Sequence, residues 1–308
     1  MRVLITGGAG FIGYHVSTLL AKKGYDVVVM DNGSRSSFLI ELKKQGIELI
    51  TADVRDIYTL WDITEKVDAI IHLAALIDVE ESSRKPLLYH EVNVGGTLNV
   101  LHVALKRRIN HLVIASSAAV YGEPVSLPIT ESHPLNPLSV YGATKLFCEI
   151  YSRIYNQMYN LSVIVLRIFN VYGPGQRGRY SGVISRFIEN ALNNKPLTIY
   201  GDGKQTRDFI YVKDVANAFL NSLRKDGFWI FNIGSGKPYS ILEIAKVIKE
   251  ITGSFSKIIY EKERIGDIRH SYADISLAKK ELGFYPSTRL EDGLKETIKW
   301  MSENLKSS

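Results

Sequence analysis

The chain has 308 residues, 45% of them hydrophobic and 23% charged, with a formal net charge of +6. That length allows a large core and two lobes, and the composition is that of a globular protein rather than a disordered or fibrous one. Lys and Arg are spread without a basic block, so nothing demands nucleic acid; the positive balance reads as a surface property and then as attraction for anionic ligands.

One cysteine, Cys148, excludes an intrachain disulfide and fits a reducing compartment, with a buried packing role expected for it. No apolar run approaches the ~20 residues that span a bilayer, and Met1 leads directly into a strand-like segment, so the expected location is cytoplasmic.

Arg2 to Thr6 (RVLIT) is a strand candidate, Gly7 to Gly13 a glycine-rich turn, and Phe11 to Lys23 a helix closed by Gly24. Tyr25 to Met30 (YDVVVM) follows as a second strand ending at Asp31. Gly8, Gly10 and Gly13 satisfy GxGxxG, and Gly7, Gly10 and Gly13 the related GxxGxxG. Between two strands, such glycines permit a tight turn, close approach to a pyrophosphate and phosphate held at the helix N-terminus. Asp31, 18 residues past Gly13, stands where a carboxylate accepts hydrogen bonds from an adenosine ribose. A carboxylate repels a 2'-phosphate, so the expected cofactor is NAD rather than NADP.

The alternation continues with a loop to Ser37, a helix over Phe38 to Gln45 and a strand over Ile47 to Thr51. Asp53 follows, either reaching an adenine edge or capping a helix or turn. A short helix at Ile57 to Lys66 leads to the strand Asp68 to Leu73 and the small turn Ala74-Ala75, which suits a flat cofactor. Pro86 starts a helix running to about Arg108, and the strand His111 to Ser116 places Ser117 at its carboxyl end. A helix over Ala143 to Tyr155 and a buried strand over Leu161 to Phe169 complete the series. Strands separated by helices indicate an α/β, doubly wound parallel sheet of Rossmann-like form. Its ligands bind outside the strands' carboxyl ends, where Gly10, Asp31, Asp53, Ala74, Ser117 and Asn170 all fall.

Tyr141 and Lys145 lie four residues apart on one face of the predicted helix. A free phenol has a pKa near ~10, and lowering it by ~3 units takes about 4 kcal/mol. An ammonium roughly 5 Å away at an effective dielectric of ~20 supplies about 3 kcal/mol. The pair therefore suits a general base, with Ser117 as a hydroxyl partner on the same substrate oxygen.

Beyond Asn170 the alternation loosens into VYGPGQRGRY, GDGKQTRDF and KERIGDIRH. Arg177, Arg179, Arg207, Arg264 and Arg269 are candidates for phosphate contacts. Helices are expected at Val183 to Asn193, Val212 to Arg224, Ser240 to Thr252, Ile275 to Leu282 and Leu290 to Glu303, with Ser240 and Glu243 as a capping box. The division expected is a dinucleotide-binding domain over 1–170 with a contribution from about 205–233, and a smaller C-terminal α/β lobe over 171–308. Seven histidines and one cysteine offer no metal-ligand spacing, and Ser117 lacks a nucleophile-elbow context, so neither a metal site nor a hydrolase triad is expected.

With TGGAGFIG, HLAA, SSAAVYG, YGATK, LRIFNVYGPG, RDFIYVKDVA and RIGDIRHSYADIS in order, the sequence resembles the extended short-chain dehydrogenase/reductase family over essentially its whole length. Within that family the likeness is strongest to UDP-glucose 4-epimerases. The resemblance implies cofactor contacts at Gly7, Gly10, Gly13, Asp31, Asp53, Ala74, Asn93, Tyr141 and Lys145, with Phe11, Ile12, Asn32, Val54, Leu73, Ala75, Ser116 and Phe169 beside them. It implies a nucleotide diphosphate held by Asn170, Arg207 and Arg264, and a small residue, Ser271, at the position limiting room beside the sugar, where it would admit an N-acetyl group. Ile77 departs from the lysine that several epimerases carry after the HLAA-like turn.

Ala118 and Ala119 occupy positions where related dehydratases and decarboxylases carry acids, and alanine transfers no proton. The resemblance thus implies a UDP-hexose 4-epimerase with bound NAD, catalytic Ser117, Tyr141 and Lys145, and a 4-keto intermediate. A 4-keto reductase, an epimerase of another nucleotide sugar and a non-catalytic dinucleotide sensor are the alternatives. A homodimer is expected, with Val94, Leu98 and Leu101 on one helix and Phe147, Ile150 and Ile154 on another supplying apolar faces.

Overall fold

Val3, Leu4, Ile5 and Thr6 are fully buried, as both faces of a central parallel strand require. The computed structural model describes residues 1–34, 38–109, 111–176, 182–263 and 268–305. β1 (Arg2–Thr6), α1 (Phe11–Lys22) and β2 (Asp26–Asp31) form the predicted strand, turn, helix and strand. α2 (Leu39–Lys44), β3 (Glu48–Thr51), α3 (Ile57–Ile63) and β4 (Ala69–His72) follow. Asp56 caps α3 through its side chain.

The helix expected from Pro86 to Arg108 is not uniform. α4 (Val79–Arg84), which the sequence reading did not foresee, precedes α5 (Pro86–Tyr89), a π turn at His90–Gly95 and α6 (Gly96–Arg107). The extra residue per turn in the π segment accommodates Asn93, whose side chain faces inward and is buried. Val94 and Leu101 are also buried within the chain's own core, so they are not free for the intersubunit face expected of them.

β5 (His111–Ser117) leads through a short 3₁₀ turn at Ala118–Val120 to α7 (Val140–Tyr159) and β6 (Val163–Ile168). α7 is longer than the expected 143–155, because the Ser139 side chain accepts the Gly142 amide at one end and Asn160 terminates the helix in a left-handed conformation at the other.

The remaining elements are β7 (Asn170–Tyr172), α8 (Val183–Leu192), β8 (Leu197–Tyr200), β9 (Thr206–Tyr211), α9 (Val212–Ser222) and β10 (Phe228–Ile233). They are followed by β11 (Pro238–Ser240), α10 (Ile241–Thr252), β12 (Ile258–Glu261), β13 (His270–Ser271), α11 (Ser276–Leu282) and α12 (Leu290–Leu305). The Ser240 and Glu243 capping box is formed at α10.

Seven strands make one parallel sheet in the order β10-β6-β5-β4-β1-β2-β3. The chain moves outward from β1 in one direction to β3, then returns to β4 on the other side. Neighbouring loops therefore part company at β1 and β4 and leave a crevice at the carboxyl edge. The late strand β10 joins this sheet beside β6, and α9 packs on α1. A second apolar cluster, built from α8, α10, α12 and the strands β8 and β9, closes the other side of the crevice. Its sheets are small: β11, β9 and β13 with β7 on β9, and the pair β12 and β8.

Candidate active site

A cavity of about 980 Å³ opens along the carboxyl edge of the large sheet and runs into the second lobe. Its size is at the upper end of the range for ligand pockets.

At one end stands the glycine turn. A Cβ on Gly13 would lie 2.2 Å from the Gly7 carbonyl oxygen, and one on Gly7, with φ +69°, would lie 2.6 Å from the Ala74 nitrogen. The outer side of Gly10 is open: its Cβ would meet only the Gly7 carbonyl, at 3.3 Å. Gly10 caps α1 with no side chain, so the first-turn amides are left to a ligand. Asp31 accepts the Ala9 amide at 3.1 Å and the Gly33 amide at 3.0 Å, which fixes its carboxylate at the end of β2. Asp53 receives Arg55 through two side-chain bonds of 2.9 Å and Asn32 through another of 2.9 Å. The hydrogen bonds from Arg55, followed by that from Asn32, hold its carboxyl well below the usual range despite partial burial. Phe11, Ile12, Val54, Leu73, Ala74 and Ala75 complete this end.

The fit to a dinucleotide is thus steric and electrostatic: an uncapped helix start, glycines where a side chain would collide, and a carboxylate placed for a ribose.

Asn93 does not line the cavity. It is buried, its amide oxygen accepts the Leu76 amide at 2.8 Å, and its nitrogen donates to Leu76 O at 2.9 Å and Thr144 Oγ1 at 3.0 Å. It clamps the loop after β4 to α7 rather than presenting a free amide to a cofactor. His72 extends this framework. Its Nδ1 is 2.7 Å from Thr6 Oγ1 and its Nε2 is 3.1 Å from Thr97 Oγ1, which in turn donates to Asn93 O at 2.6 Å. The Thr97 hydroxyl therefore accepts from Nε2–H, and Thr6 donates to the bare Nδ1. Burial, then the Lys145 charge, pushes His72 down to about 3.

At the centre, β5 delivers Ser116 and Ser117, α7 delivers Tyr141 and Lys145, and all four line the cavity with Phe169 and Asn170. Burial pushes the Tyr141 phenol up, and the nearby Ser117 hydroxyl works in the opposite direction. The lowering expected from Lys145 is not seen. Burial pushes the Lys145 ammonium itself down, with Cys148 and Glu149 opposing, and Nζ donates to the Ala115 carbonyl at 2.8 Å. Cys148 is buried as expected.

At the far end, Arg207 lines the cavity and donates to its own neighbour's carbonyl, Thr206 O, at 2.8 Å. Ser271, on β13, pairs in register with Arg207 on β9, but it is buried and does not line the cavity. Arg269 pairs with Asp202 through bonds of 2.8 and 2.7 Å. Arg177, Arg179 and Arg264 lie outside the described residues. Two further lining residues escaped the sequence reading. Arg186 on α8 is exposed to the cavity and makes no hydrogen bond or ion pair among the described residues. Gln205 is buried, donates to Tyr200 O at 2.7 Å, and keeps an Oε1 without a partner. Only the meeting of β8, β9 and α8 marks either one; in sequence each reads as an ordinary polar residue. Among the described lining residues Asp31 and Asp53 are the only carboxylates, both at the glycine-turn end. No three His, Cys, Asp or Glu side chains cluster to hold a metal among the described residues, and no described helix is long and apolar enough to cross a membrane.

The comparisons agree with this geometry. Residues 3–234 match the NAD dependent epimerase/dehydratase family. The chain is 42% identical to a Methanocaldococcus jannaschii protein provisionally named UDP-glucose 4-epimerase, covering 98% of this chain and 99% of that one. It is 38% identical to a UDP-glucuronate 4-epimerase of Thermodesulfobacterium geofontis, covering 98% and 96%. Among solved structures, a Thermotoga maritima UDP-glucose 4-epimerase with UDP-glucose superposes with a TM-score of 0.95 at 35% identity, over 99% of this chain and 100% of that one.

Proposed function

The chain belongs to the NAD-dependent epimerase/dehydratase family, and from that premise we propose that it inverts carbon 4 of a UDP-hexose, interconverting UDP-glucose and UDP-galactose. The observation that carries the reading is the pairing of two features in one cavity. Ser117 and Tyr141 line its centre together, the hydroxyl of one close enough to act on the phenol of the other, and the only carboxylates among the described lining residues, Asp31 and Asp53, stand at the cofactor end. A centre with one proton-transfer group and no acid beside it suits removal and return of the same hydrogen, and lacks the second acid that elimination or a further proton transfer calls for.

Gly7, Gly10, Gly13 and Asp31 would hold NAD, whose nicotinamide would supply a hydride acceptor and donor for carbon 4. Tyr141 removes the proton from the carbon-4 hydroxyl and gives it back, passing through a 4-keto sugar. Ser117 holds the same oxygen. Lys145 favours the phenolate once ligands exclude water, because the lower dielectric strengthens its attraction. Arg207 and Arg186 hold the diphosphate while the keto sugar turns over within the cavity. Return of the hydride avoids a net oxidation, and its delivery to the opposite face is what makes the reaction an epimerisation.

One observation favours a second reading of the substrate. The Arg186 side chain lies on the cavity wall with no ion pair among the described residues, and a uronic acid would offer it a carboxylate. The deciding experiment incubates the purified protein, without added cofactor, with UDP-glucose, UDP-galactose, their N-acetylated forms and UDP-glucuronate, and separates the products. Interconversion of a 4-epimeric pair is expected. Loss of carbon dioxide, net NADH formation or no turnover on any of them would overturn the reading.

The protein acts as a homodimer in this proposal. Phe147, Ile150, Ile154 and Met158 form an apolar stripe along α7, exposed by 48%, 44%, 36% and 65%. Residues at this spacing share one helix face, and its far side already packs on the sheet.

A further inference from the structure

Directly behind the candidate centre lies an ion pair that the proposed reaction does not use. Glu149 on α7 and Arg167 on β6 have side chains only 4% and 2% exposed. Arg167 Nη2 is 2.7 Å from Glu149 Oε2, and its Nε is 3.0 and 3.2 Å from the two carboxylate oxygens. Ser116 Oγ donates to Oε1 at 2.5 Å. The remaining arm of Arg167 donates to the Tyr121 hydroxyl and the Glu131 carbonyl, each at 2.9 Å. Ser116 and Arg167 are paired in register on β5 and β6. One bond from Ser116 therefore ties β5, the strand that carries Ser117, to the helix that carries Tyr141 and Lys145, and three from Arg167 tie the neighbouring β6 to the same helix.

The position of Glu149 is informative. It follows Lys145 by four residues on one helix, where opposite charges ordinarily pair. They do not: Lys145 Nζ donates to Ala115 O at 2.8 Å, and both oxygens of Glu149 are taken by Arg167 and Ser116. A buried ion pair adds little net stability, because desolvation offsets its attraction, so its effect lies chiefly in geometry.

We propose that Arg167 and Ser116 hold Glu149 away from Lys145, making the buried pair a positioning element that leaves the Lys145 ammonium to Tyr141 and the bound ligands. This rests on the reading of Tyr141 as the proton-transfer group. Lys145 faces Cys148 and Glu149 on its own helix and His72 on β4, and lines the cavity together with Tyr141. The Glu149 and Arg167 pair faces Tyr121 after β5 and Glu131 in the following loop.

The test is the pH–rate profile of the full chain with saturating NAD. In Arg167→Met, Glu149 loses its partner and turns to Lys145, which cancels the cation beside Tyr141. The ascending limb should move up by about one pH unit and kcat should fall about tenfold, with KM for the UDP-sugar within about twofold. Arg167→Lys should move the limb part of the way, since an ammonium cannot hold both oxygens in a fork. Removing both charges with Glu149→Gln and Arg167→Met together should bring the limb back to within about 0.3 unit of the parent. An unmoved limb in Arg167→Met, or a double variant no closer to the parent than the single one, overturns the proposal. Should Arg167→Met not melt cooperatively, Arg167→Lys decides, and an unmoved limb there overturns it. Ultraviolet titration of the phenol, taken as the difference from Tyr141→Phe, reads the same shift without turnover. A displaced titration in an enzyme inactive on every UDP-sugar defeats the epimerase reading and supports this one; an undisplaced titration defeats this one.

Discussion

Tyr141 and Ser117 line the centre of the cavity together, the Ser117 hydroxyl near enough to act on the phenol, and they reach it from different elements, one at the start of α7 and the other at the end of β5. Replacing Tyr141 with Phe removes the proton-transfer group and leaves the ring. The rate of epimerisation should fall by about 10³-fold while the dissociation constant for UDP-sugar changes by less than about threefold. Calorimetric titration beside a product assay checks both. Retained turnover would sink the assignment.

The glycine turn makes a separate prediction. At Gly13 an added Cβ would lie 2.2 Å from the Gly7 carbonyl and 2.7 Å from Gly8 Cα, both backbone atoms that cannot swing aside. Gly13→Ala should displace the turn and abolish NAD binding, whereas Gly24→Ala, with nothing within 4 Å but φ +83°, should cost only about 1 kcal/mol of stability. Cofactor content after purification and thermal melts distinguish the two outcomes.

Arg186 lies on the cavity wall with no ion pair among the described residues. Truncation to Met should raise KM for the UDP-sugar about tenfold or more with kcat nearly unchanged, the signature of binding energy that ground and transition states share. A larger loss for UDP-glucuronate than for UDP-glucose would favour the uronate reading. Equal kinetics with the parent would remove Arg186 from the site.

Acid should weaken the fold through His72. Its pKa is lowered from 6.5 to about 3, first by burial and then by Lys145. Above about pH 6.5 the ring is neutral in both folded and unfolded chains and contributes no pH dependence. As pH falls towards 3 the unfolded chain takes up a proton that the folded chain refuses, so stability is lost, at up to about 1.4 kcal/mol per pH unit from this one group. His72→Gln should flatten that part of the acid arm in urea unfolding series. An arm of unchanged slope would show that His72 protonates without unfolding.

For assembly, Ile150→Glu places a charge in the middle of the exposed α7 stripe without touching the cavity. Light scattering at micromolar concentration should report a dimer for the parent and a monomer for the variant. A parent that is already monomeric would count against the interface.

Much of the first half was legible in the sequence because its signals are local. Buried parallel strands read as continuous apolar runs, glycines mark the turn that admits a phosphate, and residues at strand ends share an edge by the rule of the fold. Gly7, Gly10, Gly13, Asp31, Ser117, Tyr141 and Lys145 were all picked out this way and all line one cavity. The second lobe was less legible. Its strands are two to six residues long and pair with segments distant in the chain, as β12 does with β8, so no local period announces them.

Side-chain commitments were decided only by packing. Asn93 has the right place in the chain for a cofactor contact, but its amide is consumed by Leu76 and Thr144. Lys145 has the right spacing to act on Tyr141, yet Ala115 holds it, and Glu149, its natural helical partner, is bound to Arg167. The sequence by itself determined the sheet, the cofactor turn and the identity of the central residues, because backbone preference and apolar periodicity act over a few residues at a time. The tertiary structure alone decided which polar atoms remain free to meet a ligand, because each hydrogen-bonding group is claimed by whatever partner the fold brings to within about 3 Å of it.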